Sequence, residues 1–135
     1  MRYLAIDHGQ KRTGLAVCDA SETVVSPHSV IETQSSTELL KRILSVIDDE
    51  KIEAVVIGLP FNMDGTEGAR AQQVRAFAQQ LFQKAHVPIE FCDERLSSFE
   101  AERLAVELDL TRRKKKKRLD AIAAAEILKA FLGSK

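Results

Sequence analysis

The chain has 135 residues, with 20 basic and 20 acidic side chains that give a net charge of zero. This length fits one domain with a sizeable core and excludes two catalytic domains. The composition, 44% hydrophobic and 30% charged, is typical of a soluble globular protein, and no apolar run approaches the roughly 18 residues that a membrane span needs. The N-terminus has no signal-peptide pattern. We therefore expect a single domain over residues 1–135, located in the cytoplasm and without a membrane partner.

The first part of the chain predicts three antiparallel strands. The apolar runs 2–7 and 13–18 flank "HGQKR", in which Gly9 suits a tight turn, and together they predict a β-hairpin. A third run, 23–31, contains Pro27. Because proline cannot donate a hydrogen bond to a neighbouring strand, this run predicts an edge strand, a bulge or a break.

The rest of the chain alternates between helical and strand-like patterns. An apolar stripe after Ser35 or Ser36 predicts a capped amphipathic helix, and "EAVVIGLP" predicts a strand buried on both faces of a parallel sheet. The later predicted elements are a helix over 68–84, a strand over 87–94, a helix from Ser97 or Ser98 to about Leu108, and a final helix over about 119–132. This order predicts an α/β fold with a mixed sheet flanked by helices.

The chain's cysteines and histidines form no zinc-binding pattern. Cys18 and Cys92 lie inside apolar runs, as buried free thiols do. His8, His28 and His86 are scattered, so the sequence gives little support to a structural zinc site.

Acidic residues stand at the ends of predicted strands. Asp7 ends the first strand, Asp93 and Glu94 end another, and Asp120 lies near the start of the final helix. Because the carboxyl ends of parallel strands meet at one edge of an α/β sheet, these acids could converge there. Each one alone could instead be a structural cap or half of an ion pair, and Asp120 could simply favour the positive end of a helix dipole.

Converging carboxylates would repel each other unless cations neutralised them. Oxygen ligands of this kind suit Mg²⁺ or Mn²⁺. Two such ions roughly 3.5 to 4 Å apart can activate a water and stabilise the leaving oxygen of a phosphodiester. The acids therefore predict a metal-dependent nuclease. The alanines of "AIAAA" after Asp120 would let the final helix approach the sheet closely, although they also simply favour a helix.

A basic block precedes Asp120. It holds seven of the twenty basic residues, and we expect a mobile loop there because neighbouring cations repel each other. The block could deliver a phosphate backbone to the acids, or it could be a solubilising face or a targeting signal. The predicted nucleic-acid contacts are the block itself, Arg112, Arg113, Lys114, Lys115, Lys116, Lys117 and Arg118, together with Lys11, Arg12, Arg70 and Arg95.

Four stretches in this order resemble the YqgF/RuvX family. They are "AIDHGQKRTGLAV", "VVIGLPFNMDGTEG", "CDERLSS" and "LDAIAAAEIL". The family comprises Holliday-junction-resolvase-like nucleases associated with processing the 5′ end of pre-16S ribosomal RNA. The resemblance covers essentially the whole chain. It implies an RNase H-like fold, in which a mixed five-stranded sheet begins with three antiparallel strands.

The resemblance also implies a catalytic and metal-binding set. Its members would be Asp7, Glu94 and Asp120, with Asp93 in reserve. On a strand, Glu94 shares a face with Cys92 whereas Asp93 does not, and Glu has the longer reach. Arg12, Arg95, Ser97 and the loop from Asn62 to Thr66 match family positions that would line the groove.

Other functions remain compatible with the sequence. A kinase-type ATPase shares the fold and an Asp-x-Gly turn, but its site lies between two such domains. A non-catalytic nucleic-acid or protein-binding module is a second alternative. Within the nuclease interpretation, the substrate could be structured RNA, including ribosomal precursor particles, or a four-way DNA junction. The sequence also leaves open the number of metals, endonuclease or exonuclease action, and whether the protein is a monomer or a homodimer.

Overall fold

The computed structural model describes residues 1–62, 64–93 and 112–134, with the backbone alone described over 112–119. The described elements are β1 (Tyr3–Asp7), β2 (Arg12–Cys18), β3 (Val25–Glu32), α1 (Ser36–Asp49), β4 (Ala54–Leu59), α2 (Ala69–Ala85), β5 (Ile89–Asp93) and α3 (Arg112–Gly133). The helix predicted between Ser97 or Ser98 and Leu108 lies outside the described residues. Among those described, no helix is both long and apolar enough to cross a membrane.

The five strands form one mixed sheet in the order β3-β2-β1-β4-β5. β1 pairs with β2, and β2 with β3, in antiparallel fashion, whereas β4 lies parallel to both β1 and β5. The predicted hairpin and the predicted mixed sheet are therefore confirmed. β1 is the central strand, and its carboxyl end lies at the same edge of the sheet as the ends of β4 and β5.

β3 is an edge strand that contains Pro27, as predicted. Pro27 lies opposite Ala16 and Ser29 lies opposite Leu15, so one extra residue, His28, interrupts the register. A bulge of this kind accommodates a residue that cannot donate to the ladder. At the turn before β3, the Asp19 carboxylate accepts hydrogen bonds from the backbone nitrogens of Thr23 and Val24, each at 2.8 Å.

Two apolar clusters cover the two faces of the sheet. Leu4 and Ile6 of β1 face the cluster formed with α1 and α2. Tyr3 and Ala5 alternate with them and face the cluster formed with α3. The predicted cap of α1 is confirmed, because the Ser35 hydroxyl accepts a hydrogen bond from the backbone nitrogen of Glu38 at 3.2 Å.

The basic block is helical, which corrects the expectation of a mobile loop. α3 begins at Arg112 and continues without interruption to Gly133, whereas the sequence analysis placed the start of the final helix near residue 119. Lys and Arg are good helix formers, and the alanine-rich segment that follows propagates a helix readily. The intrinsic preference of the block therefore outweighs the repulsion between neighbouring charges.

Gly14 allows α3 to lie directly against β2. A β-carbon built on Gly14 would overlap the backbone carbonyl of Asp120 and lie 3.0 Å from the nitrogen of Ala121. The alanines of α3 contribute to the same approach, since Ala124 and Ala125 are buried against the sheet. The position of Asp120 therefore depends on the absence of a side chain at residue 14.

We expect Gly14→Ala to destabilise the protein by about 3 kcal/mol, because backbone atoms of α3 would have to move away from β2. Gly133→Ala is the matched control, since a β-carbon there meets nothing within 4 Å. The free energy of unfolding of both variants can be measured by urea denaturation. Equal stability of the two variants would contradict the proposed role of Gly14.

Candidate active site

Asp7 lies at the carboxyl end of the central strand. It is the last residue of β1 and is paired in register with Gly14 of β2. By strand alternation its side chain follows Tyr3 and Ala5 onto the face that α3 covers. Asp7 is partly buried, so this carboxylate is only partly accessible to water.

Asp120 reaches the same place from α3. Its backbone lies against Gly14, the residue that pairs with Asp7. One glycine is thus the neighbour of both acids, and the structure brings Asp7 and Asp120 together at one edge of the sheet. The alternative that Asp120 is only a first-turn acid does not fit, because α3 begins eight residues earlier, at Arg112.

The environment raises the pKa of Asp120 from 3.8 to about 6. The largest cause is burial, and the second is the negative charge of Asp7. Arg12 lowers the pKa by its charge and its hydrogen bond, and Glu32 raises it slightly. The carboxylate of Asp120 is therefore less favourable in the folded protein than in water.

Arg12 forms ion pairs with two acids. Its Nε lies 3.2 Å from Oδ2 of Asp120, and its Nη1 lies 3.8 Å from Oε1 of Glu32. The sequence analysis predicted Arg12 as a phosphate contact. In this structure its guanidinium balances part of the negative charge of the site.

Two of the predicted site residues, Glu94 and Arg95, lie outside the described residues. Asp93, the reserve ligand, is paired with Leu59, whose side chain belongs to the cluster on the α1 and α2 face. Asp93 therefore lies on the opposite face of the sheet from Asp7, as the strand parity predicts. Its place in the sheet does not favour it as a partner for Asp7.

Arg70 contacts the turn that follows Asp7. Its Nη2 donates to the backbone oxygen of His8 at 2.7 Å and contacts His8 Nδ1 at 3.2 Å, and its Nη1 donates to Gln73 Oε1 at 2.6 Å. Burial, followed by the charge of Arg70, lowers the pKa of His8 to about 4. Arg70 was predicted to contact phosphate, and the described contacts place it on the α1 and α2 side of the sheet edge.

The other predicted cations that the structure describes are Lys11 and, through its backbone, the basic block. Lys11 is exposed in the turn between β1 and β2. The block from Arg112 to Arg118 forms the first two turns of α3, directly before Asp120.

The loop from Asn62 to Thr66, predicted to line the groove, follows the carboxyl end of β4. Within it, Asn62 Nδ2 donates to Thr66 Oγ1 at 3.0 Å. Farther along, Arg75 holds Glu67 through two hydrogen bonds of 2.6 and 2.9 Å, and its guanidinium lies 4.8 Å from the ring centroid of Phe91. These contacts fasten the loop to α2 and β5 at the sheet edge that carries Asp7.

Sequence reasoning missed Gly14, which pairs with Asp7 and lets α3 bring Asp120 beside it. A signal was available, because a glycine inside a strand often marks the close approach of another backbone. The sequence analysis identified the alanines of α3, which form one side of this contact. Gly14 of β2 forms the other side.

The donor set fits a hard divalent cation. Asp7 and Asp120 provide carboxylate oxygens, which Mg²⁺ and Mn²⁺ prefer, and their mutual repulsion indicates negative charge that Arg12 only partly balances. Within the described ranges, no three His, Cys, Asp or Glu side chains form a metal-binding group. The third predicted ligand, Glu94, falls outside those ranges.

We expect metal-free Asp120→Asn to be more stable than the unmodified protein at pH 8, by about 2 kcal/mol. Above pH 6 the folded protein carries the unfavourable Asp120 carboxylate, which asparagine lacks. As the pH falls from 6 to 4, Asp120 takes up a proton in the folded state and the difference should vanish. Chemical denaturation in EDTA at several pH values measures this difference in the free energy of unfolding.

Asp49→Asn provides the comparison for removing an exposed carboxylate outside the site. A stability gain for Asp120→Asn that does not change between pH 4 and pH 8 would contradict the electrostatic explanation.

Comparison with known proteins identifies the family. The family model described as "RuvX: Holliday junction resolvase" matches residues 1–134. A protein of Syntrophomonas wolfei, named provisionally as a pre-16S rRNA nuclease, is 38% identical over 132 residues, which are 98% of this chain and 94% of that protein. A protein of Maridesulfovibrio salexigens with the same name is 41% identical and covers 98% of each chain.

Among solved structures, Thermus thermophilus RuvC in complex with a Holliday junction substrate is similar to this chain, with a TM-score of 0.63. The two chains are 19% identical, and the match covers 99% of this chain and 97% of that one. This likeness supports the predicted RNase H-like fold. From the family match and the two relatives together, the chain belongs to the RuvX family.

Proposed function

We propose that this chain is a metal-dependent nuclease, a single domain over residues 1–135 that processes the 5′ end of pre-16S rRNA on ribosomal precursor particles in the cytoplasm. The names of relatives that match nearly the whole chain support this substrate. Membership of the RuvX family supports phosphodiester hydrolysis.

The observation that carries the proposal is the juxtaposition of Asp7 and Asp120. Two acids from distant parts of the chain meet beside Gly14, and the burial and repulsion that they undergo raise the pKa of Asp120. Two partly buried carboxylates placed next to each other cost stability, because burial and mutual repulsion both disfavour their charged forms. Perturbed acids of this kind are typical of functional sites.

In the proposed mechanism Asp7, Asp120 and Glu94 would hold Mg²⁺ or Mn²⁺. The bound ion would supply activation of a water and stabilisation of the leaving oxygen. Arg12 keeps a positive charge beside Asp120, where it can also attract a phosphate. The basic start of α3 would bind the nucleic-acid backbone next to the acids.

We expect Asp7→Asn and Asp120→Asn each to reduce cleavage of a pre-16S rRNA 5′ segment by at least about 100-fold, and EDTA to abolish it. Both substitutions remove a charged oxygen ligand and keep the size of the side chain. The assay follows product formation with Mg²⁺, Mn²⁺ or EDTA, and Asp49→Asn should retain full activity. Cleavage that persists in EDTA or in both variants would refute the metal-nuclease mechanism.

The same assay should include a four-way DNA junction, because the description of the matching family model names this substrate. Cleavage of the junction without cleavage of the RNA would make the protein a resolvase. If neither substrate is cut but one is bound, the protein is a binding module.

Replacing Lys114 to Lys117 by Gln should weaken RNA binding and make its salt dependence shallower by about three to four units of slope. Glutamine is suitable because it favours a helix and the block is helical, so the fold should be kept. Filter binding at several salt concentrations measures the slope. An unchanged slope would show that the block takes no part in binding.

A further inference from the structure

A cleft lies at the same edge of the sheet as Asp7 but on the opposite face, which α1 and α2 cover. It has a volume of about 340 Å³ and is bounded by the β1–β2 turn, the start of α1 and the first half of α2. Its apolar floor contains Leu39 and Phe77, which belong to the cluster on the α1 and α2 face. His8, the residue after Asp7, forms part of its wall. The cleft is thus separate from the acids but next to them.

The lining combines neutral hydrogen-bonding groups with a single permanent charge. Four amide side chains face it, from Gln10, Gln34, Gln73 and Gln80. Among the described residues that line it, Arg70 is the charged one, and none is Asp, Glu or Lys. A ligand that suits this lining has a flat or apolar part, several neutral donors and acceptors, and one negative group.

Arg70 is fixed in position. It donates to the backbone oxygen of His8 and to the side chain of Gln73, which tie the β1–β2 turn to α2. These bonds involve Nη1 and Nη2, so that Nε and the second hydrogen of Nη1 have no partner within the described part of the chain. Each of these two hydrogens can donate a single charge-assisted hydrogen bond to a phosphate oxygen.

We propose that this cleft binds an unpaired nucleotide of the nucleic-acid substrate, next to the phosphodiester that is cut. Arg70 contacts the phosphate, the base lies in the cleft beside the His8 imidazole, which itself packs on Phe77, and the glutamine amides hydrogen-bond to the edge of the base. Amide side chains are suited to base edges, and proteins recognise RNA chiefly through unpaired bases. This inference rests on the proposed nuclease function and specifies which part of the substrate the protein recognises.

Filling the cleft tests the inference. Ala76 lines the cleft on α2 and is exposed, so Ala76→Leu should occupy the space without disturbing the core, and Leu favours a helix nearly as well as Ala. Gln79→Leu is the matched control, because Gln79 is exposed on the same helix and is not part of the lining.

The first measurement is an NMR titration of the full chain in EDTA with the four ribonucleoside monophosphates, at up to about 10 mM, since a single nucleotide is expected to bind only at millimolar concentration. We expect shifts at the amides of Gln34, Gln73 and Ala76, which Ala76→Leu removes and Gln79→Leu keeps. Inorganic phosphate is titrated separately. If phosphate alone produces the whole response, the cleft is an anion site and the inference is overturned.

The second measurement compares the affinity of the protein for a single-stranded RNA with its affinity for a series of the same RNA. Each RNA in the series lacks the base at one different position. For the unmodified protein, removing the base at one of these positions should lower the affinity about tenfold. Ala76→Leu should show that loss with intact RNA and no additional loss with the abasic RNA, as expected when both changes remove the same contact. The inference is supported when Ala76→Leu both removes the nucleotide shifts and reproduces the loss of affinity for intact RNA. Failure of either result overturns it.

Both measurements are made without a catalytic metal, so they are independent of cleavage. If nucleotides bind in the cleft but Asp7→Asn and EDTA leave cleavage unchanged, the proposed function fails and the cleft remains a nucleotide site. If cleavage depends on the acids but Ala76→Leu binds and cleaves RNA normally, the nuclease proposal stands and the cleft is not part of its substrate site.

Discussion

The repulsion between the carboxylates of Asp7 and Asp120 is built into the backbone of this fold. Asp7 is held in the central strand opposite Gly14, and Asp120 is held against Gly14 by the packing of α3 on β2. The backbones of the two residues cannot separate unless β1 or α3 moves. After burial, this repulsion is the second cause of the raised pKa of Asp120.

Arg12 determines how much of this charge remains for a ligand. Its guanidinium pairs with Asp120 and Glu32, yet burial and Asp7 together still outweigh it in setting the pKa of Asp120. A divalent cation arriving at the acids would meet net negative charge and would release the proton that Asp120 holds near pH 6. The partial compensation by one arginine thus reduces the repulsion at the acids and leaves negative charge for a cation.

The sequence predicted the structure correctly where a short segment is compatible with only one local conformation. The hairpin around Gly9, the edge strand with Pro27 and the cap at Ser35 follow from backbone chemistry within a few residues, and all three were predicted. The start of α3 at Arg112 was missed because helix propensity and charge repulsion act in opposite directions in the basic block. The role of Gly14 could not be derived locally, because it depends on a helix more than a hundred residues away.

The basic block and Asp120 lie on one continuous helix, α3. Because one uninterrupted helix runs from Arg112 to Gly133, the basic block lies roughly 3 to 12 Å along the helix axis from Asp120. The contact with Gly14 fixes this helix on the sheet at Asp120 itself. A phosphate backbone bound by the block would therefore be held at a set distance from the carboxylates. In a loop the same charges would attract nucleic acid without orienting it, whereas a helical block would also position a bound phosphate backbone.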